Sequence, residues 1–77
     1  MSSTDLVTSV RQYVAQAFGL TADDASLELD SLGIIEIIVI IESGLHRKFP
    51  EDELTFSNFR TLADVDALIR RLSDDLL

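Results

Sequence analysis

The sequence predicts an all-α protein, on three observations. Apolar residues recur at helical spacing near both ends of the chain: Leu6, Val7, Val10, Val14, Ala17 and Phe18, and again Val65, Leu68, Ile69 and Leu72. A polar pair, Asp30 and Ser31, stands directly before a long apolar run, Ile34 to Ile41, broken only by Glu36; that is how a helix N-terminus reads. No other segment is rich in β-branched residues, so a strand built from that run would leave its backbone groups unpaired.

Thr4 is expected to cap the first helix, with Asp5 in the first turn, where the helix dipole favours a negative charge. The apolar stripe supports about 14 residues of helix, with Arg11, Gln12 and Gln16 on the other face and Gly19 as the stop. Residues 20–29 read as a loop, with turn chemistry from Thr21, Asp23, Asp24 and Ser26, and with Leu27 and Leu29 pinning it to the bundle. Asp23 and Asp24 lack the spaced oxygen ligands, central glycine and final glutamate of a calcium loop, so a solvated loop is expected there.

The second helix is argued against its own propensity. Ile34, Ile35, Ile37, Ile38, Val39, Ile40 and Ile41 are β-branched, which locally favours a strand, and periodicity alone does not dismiss one. The capping pair, Glu36 and Glu42 on neighbouring turns, and the missing partner strand favour a helix from Ser31 to Leu45. Leu32, Ile37, Ile38, Ile41 and Leu45 are expected to face inward. Ile34, Ile35 and Val39 are expected on the outer or lateral side with Glu36 and Glu42, in the manner of a small docking face. Gly33, in the first turn, is expected to leave room for another surface to approach Ser31.

His46, Arg47 and Lys48 complement the negative end of the helix dipole, and Pro50 forbids continuation and holds Phe49 extended. Glu51-Asp52-Glu53 fits either a solvated turn or a contact for a basic partner. One short helical turn is expected around Phe56–Phe59, both rings anchored in the core. Thr61 and Asp64 have capping-box spacing ahead of the last helix, with Arg70 and Arg71 in its last turn. A single domain over residues 4–73 is expected, with 1–3 and 74–77 as frayed ends.

Seventy-seven residues suit one small domain. Without cysteine there is no disulfide or thiolate metal site, and the single His46 cannot make a multi-histidine site. A net charge of −8 argues against nucleic acid and suits partners with a basic patch reached by electrostatic steering, although solubility alone would also account for it. Met1-Ser2-Ser3-Thr4 shows no basic leader or apolar core of a signal peptide, and the isoleucine run is far short of the roughly 20 residues that span a bilayer. The expectation is a cytoplasmic monomer without membrane insertion.

Ser31 is the candidate functional hydroxyl. Asp30 is the one possible base near it in sequence, and a carboxylate is a poor base for a hydroxyl. His46 would lie at the far end of a helix about 22 Å long, so the oriented base and oxyanion hole of a hydrolase are not supplied. An anion on Ser31, by contrast, would sit beside free N–H groups and the positive end of the helix dipole.

Asp30-Ser31-Leu32, with Glu36 and Ile37 after it, resembles the modification motif of acyl and peptidyl carrier proteins. The resemblance extends from about Leu6 to Leu72: Phe49-Pro50 is similar to the hydrophobic-Pro pair after the family's second helix, and Asn58-Phe59-Arg60-Thr61-Leu62 to the approach to its last helix. It implies a four-helix bundle with a short third helix and no enzymatic activity. It also implies a covalent 4′-phosphopantetheine arm on Ser31, taken from coenzyme A, whose thiol holds an acyl or aminoacyl group as a thioester. No resident metal is implied. Asp30 is implied to help place metal and coenzyme A when the phosphopantetheinyl transferase binds. Glu36, Val39 and Glu42 match positions that meet basic, partly apolar grooves on partner enzymes. Leu32 and Ile35 join them as the expected face for a loading enzyme and for an acyltransferase or synthase.

Ser31-Leu32-Gly33, Glu51-Asp52-Glu53-Leu54-Thr55 and Asn58-Phe59-Arg60 are most similar to stand-alone carriers of secondary-metabolite (polyketide or nonribosomal) pathways; fatty-acid-synthesis and D-alanyl carriers are the alternatives. Two features depart from the family: the Leu-Gly pair many members carry before the motif is Leu27-Glu28 here, and the loop from Gly19 to Asp30 is shorter by several residues. From a different class, an unmodified helical interaction module of death-domain or sterile-alpha type would use Ser31 only as a cap. A serine hydrolase ranks last.

Overall fold

The structure, a computed structural model, describes residues 3–74. Helices α1 (Ser3–Phe18), α2 (Ser31–Leu45) and α3 (Leu62–Asp74) are joined by a long loop and by a strap carrying two 3-10 turns, Glu51–Glu53 and Phe56–Phe59. Among the described residues the isoleucine run is helical and no strand forms; Ser26 and Thr61 make one isolated antiparallel bridge. The architecture is all-α with three α-helices, and the short helical turn expected around Phe56–Phe59 is present there as a 3-10 turn. Thr55 is extended before it, at φ −125° and ψ 151°. The Asn58 side chain donates back to the Glu53 carbonyl at 2.7 Å, a local bond that competes with helix propagation.

The core is ordinary apolar packing. Leu6, Val10 and Val14 of α1 meet Ile37 and Ile41 of α2 and Leu62, Val65, Leu68, Ile69 and Leu72 of α3, and Leu27, Phe49 and Phe59 close the ends. Helix α1 packs on both α2 and α3, and the second 3-10 turn packs on α3. Gly44 allows a close α1–α2 contact: a Cβ there would stand 2.5 Å from Leu6 Cδ1, so any side chain would oblige the buried Leu6 to move.

Several local expectations are corrected. Helix α1 already includes Ser3, so Thr4 lies inside it and is not its cap. Ala17 and Phe18 are exposed rather than core, with Phe18 edge-on to Tyr13 at 6.1 Å between ring centroids. The helix does stop at Gly19, whose φ of +70° suits a residue without a Cβ. Phe56 is 71% exposed and only Phe59 is buried. Arg70 precedes the last turn of α3, which runs on to Asp74. Of the ends expected to fray, Ser3 and Asp74 are helical, and 1–2 and 75–77 lie outside the described residues.

The loop between α1 and α2 is tied down in several places. Leu27 is buried and its N–H donates to the Arg60 carbonyl at 2.7 Å, while the Ala63 N–H donates to the Asp23 carbonyl at 3.0 Å. Arg11 joins α1, the loop and α3 by donating to Asp66 and Asp23, each at 2.5 Å. Those bonds, Asp66 first, raise the pKa of its guanidinium above the ordinary value. Thr61 and Asp64 make the expected reciprocal contact at the start of α3: the Asp64 N–H donates to Thr61 Oγ1 at 3.2 Å, and that hydroxyl donates to the Asp64 carboxylate at 3.0 Å.

Candidate functional site

The head of α2 is fixed by Asp30. Asp30 is the N-cap, extended at φ −82° and ψ 179°. Its Oδ1 accepts from the Gly33 N–H at 2.8 Å, and its carbonyl accepts from the Ile34 N–H at 3.1 Å. The first bond satisfies one of the donors a helix start leaves open, and the second is the first rung of the helix itself. Ser31 follows as the first helical residue and is exposed. The amides of Ser31 and Leu32 have no acceptor among the described residues, so the hydroxyl stands beside donors and the positive end of the dipole. An anionic group on Ser31 fits this place. Asp30 keeps its second carboxylate oxygen free of internal bonds.

Gly33 has a different role from the one expected. It is buried, and a Cβ there would meet Leu29 Cδ2 and Phe18 Cζ, each at 3.3 Å. It therefore lets the loop and the end of α1 pack beneath the cap, rather than leaving space for an outside surface.

Beside Ser31 opens an apolar cleft of about 350 Å³. One wall is α2, through Ile34, Ile35 and Ile38; the other is the strap, through Leu54, Thr55, Phe56 and Phe59. No charged side chain lines it. Sequence reasoning did not find the cleft, although Leu54 and Phe56, apolar residues in a segment too short for a helix, were a signal that could have pointed to it.

The residues expected to meet partners divide into two groups. Leu32, Ile35 and Val39 lie on one side of α2 at i, i+3 and i+7 and are 65%, 53% and 49% exposed; Glu36 is exposed beside them. Leu32 is thus not inward-facing: it is exposed in the first turn of α2. Glu42 is only partly exposed, and its Oε2 accepts from the Phe49 N–H at 2.8 Å, a structural duty the sequence did not disclose. His46 adopts the left-handed conformation at the C-cap, φ 56° and ψ 38°, at the opposite pole from Ser31. Among the described residues no group of three or more His, Cys, Asp or Glu could hold a metal ion.

Comparison with curated proteins and with solved structures gives no match. A family model of the phosphopantetheine attachment site matches residues 4–69. Domains of this family attach 4′-phosphopantetheine covalently, work with a phosphopantetheinyl transferase and acyl-loading enzymes, and are not themselves catalysts. With most of its length matched, from α1 into α3, the chain belongs to the phosphopantetheine-binding carrier family.

Proposed function

We propose that Ser31 carries the phosphopantetheine arm and that the chain holds an acyl group on it as a thioester for delivery to partner enzymes. The observation that carries this reading is the exposed Ser31 hydroxyl at the capped head of α2, inside the matched region. The residue needs no base of its own, because the transferase takes the proton as the Ser31 oxygen bonds to phosphorus, the phosphoanhydride of coenzyme A breaks and adenosine 3′,5′-bisphosphate leaves. Asp30 holds the turn with Oδ1 and offers its other oxygen to metal and coenzyme A on the transferase.

The cleft beside Ser31 supports an uncharged, apolar cargo over a charged aminoacyl one, since its walls offer no partner for an ammonium group. Leu32, Ile35, Glu36 and Val39 form the docking face, with Glu42 at its edge; the apolar members supply contact area and Glu36 meets a basic side chain on the partner. The similarity of Ser31-Leu32-Gly33, Glu51-Asp52-Glu53-Leu54-Thr55 and Asn58-Phe59-Arg60 to stand-alone secondary-metabolite carriers supports a role in polyketide or related natural-product biosynthesis; the chain is read as one domain over 4–73 acting in the cytoplasm. Among the described residues no helix is long and apolar enough to cross a membrane.

Incubation with coenzyme A, magnesium and a promiscuous transferase should add one phosphopantetheine to the intact mass. The Ser31→Ala chain should gain none. A gain that persists without Ser31 would assign the arm to another residue.

A further inference from the structure

The two walls of the cleft are held very differently. The α2 wall belongs to a helix whose other face is locked in the core through Ile37 and Ile41. The strap wall has one buried anchor, Phe59, while Leu54 and Phe56 are 55% and 71% exposed. Burial therefore cannot fix where Leu54 and Phe56 stand. The second 3-10 turn packs mainly on α3 rather than on α2, so the width of the cleft depends on how the strap hangs from α3.

One cluster makes that attachment. Arg71 Nη2, on α3, donates to Glu53 Oε2 at 2.6 Å and to Asn58 Oδ1 at 3.2 Å. Asn58 Nδ2 donates in turn to the Glu53 carbonyl at 2.7 Å. The three residues close a ring across the base of the strap. Leu54, Thr55 and Phe56, all cleft-lining, lie inside the segment that Glu53 and Asn58 bracket.

We infer that Arg71 is a positioning residue: by gripping Glu53 and Asn58 together it sets the place of the strap and so the affinity of the cleft for a neutral apolar chain. Arg71 does not line the cleft. It acts through the 53–58 segment, and the guanidinium fork makes both bonds from one nitrogen, Nη2, further from the backbone than a lysine ammonium reaches.

The inference depends on the cleft and not on the arm, so it can be tested in the Ser31→Ala background, where failure of loading at Ser31 has no bearing on it. Amide hydrogen exchange and titration with a neutral apolar fluorophore, N-phenyl-1-naphthylamine, are compared in wild type, Arg71→Met and Arg71→Lys. Arg71→Met keeps the alkyl stem and removes the fork. Exchange at the Thr55 and Asn58 amides should rise about fivefold, the scale of losing an exposed pair, while the Ile37 and Ile41 amides stay within about twofold of wild type. The fluorophore Kd should rise about threefold as the wall loses its preorganisation. Arg71→Lys should not restore either value, and Glu53→Gln should shift both in the same direction. Unchanged exchange at Thr55 and Asn58, unchanged or absent fluorophore binding, or an equal rise in exchange across α2 would each overturn the inference.

Discussion

Helices α2 and α3 are of similar length and both flank the core, yet they spend their apolar residues differently. Helix α3 buries Leu62, Val65, Leu68, Ile69 and Leu72 and turns a polar face outward. Helix α2 is apolar nearly all round: it buries Ile37 and Ile41, with Gly33 and Gly44 at close contacts, and leaves Leu32, Ile35 and Val39 substantially exposed. A helix needed only for folding has no reason to present such a ridge. The contrast teaches that α3 spends its apolar residues on the core, whereas α2 divides them between the core and an exposed ridge, the one proposed here as the docking face.

Substitutions can break or sharpen this contrast. The largest effect is expected inside the core: Ile41→Ala on α2 and Leu68→Ala on α3 should each cost about 2–5 kcal/mol in denaturant unfolding, while Ile35→Ala should stay within about 0.5 kcal/mol. Equal losses at Ile35 and Ile41 would erase the two-sided reading of α2. Next, Gly44→Ala should cost about 1–3 kcal/mol by forcing Leu6 and α1 to move, read as a lowered thermal midpoint. Asp30→Ala should cost about 1 kcal/mol by freeing the Gly33 N–H, with faster exchange confined to the head of α2. The smallest effect on stability is expected for Glu36→Lys, near zero; its consequence is slower encounter with a basic partner, a difference that should fade as salt rises. If loading and transfer rates are the same in both chains at low salt, the docking face lies elsewhere.

Much of this organisation is legible in the sequence because it is local. The cap at Asp30–Ser31, the stop at Gly19 and the Thr61–Asp64 pair are decided within a few residues, and the stripe of α3 carries its own period. What was not legible depends on residues distant along the chain. Gly44 matters because of Leu6, Gly33 because of Phe18, and Glu42 because Phe49 turns its N–H back toward it. Leu32 and Phe56 were read as core by their chemistry, but their burial is set by which neighbours the topology supplies, and it leaves them 65% and 71% exposed. The isoleucine run is the converse case: its propensity pointed to a strand, and the helix forms because no partner strand exists among the described residues and the cap starts one.

Gly44 has a consequence for what α2 can vary. With Leu6 seated against it, a side chain at 44 has to displace Leu6, whereas Ile35 and Val39 stand in the open. Tolerance to bulk therefore changes along a single helix, permissive on the outer ridge and strict at the seam.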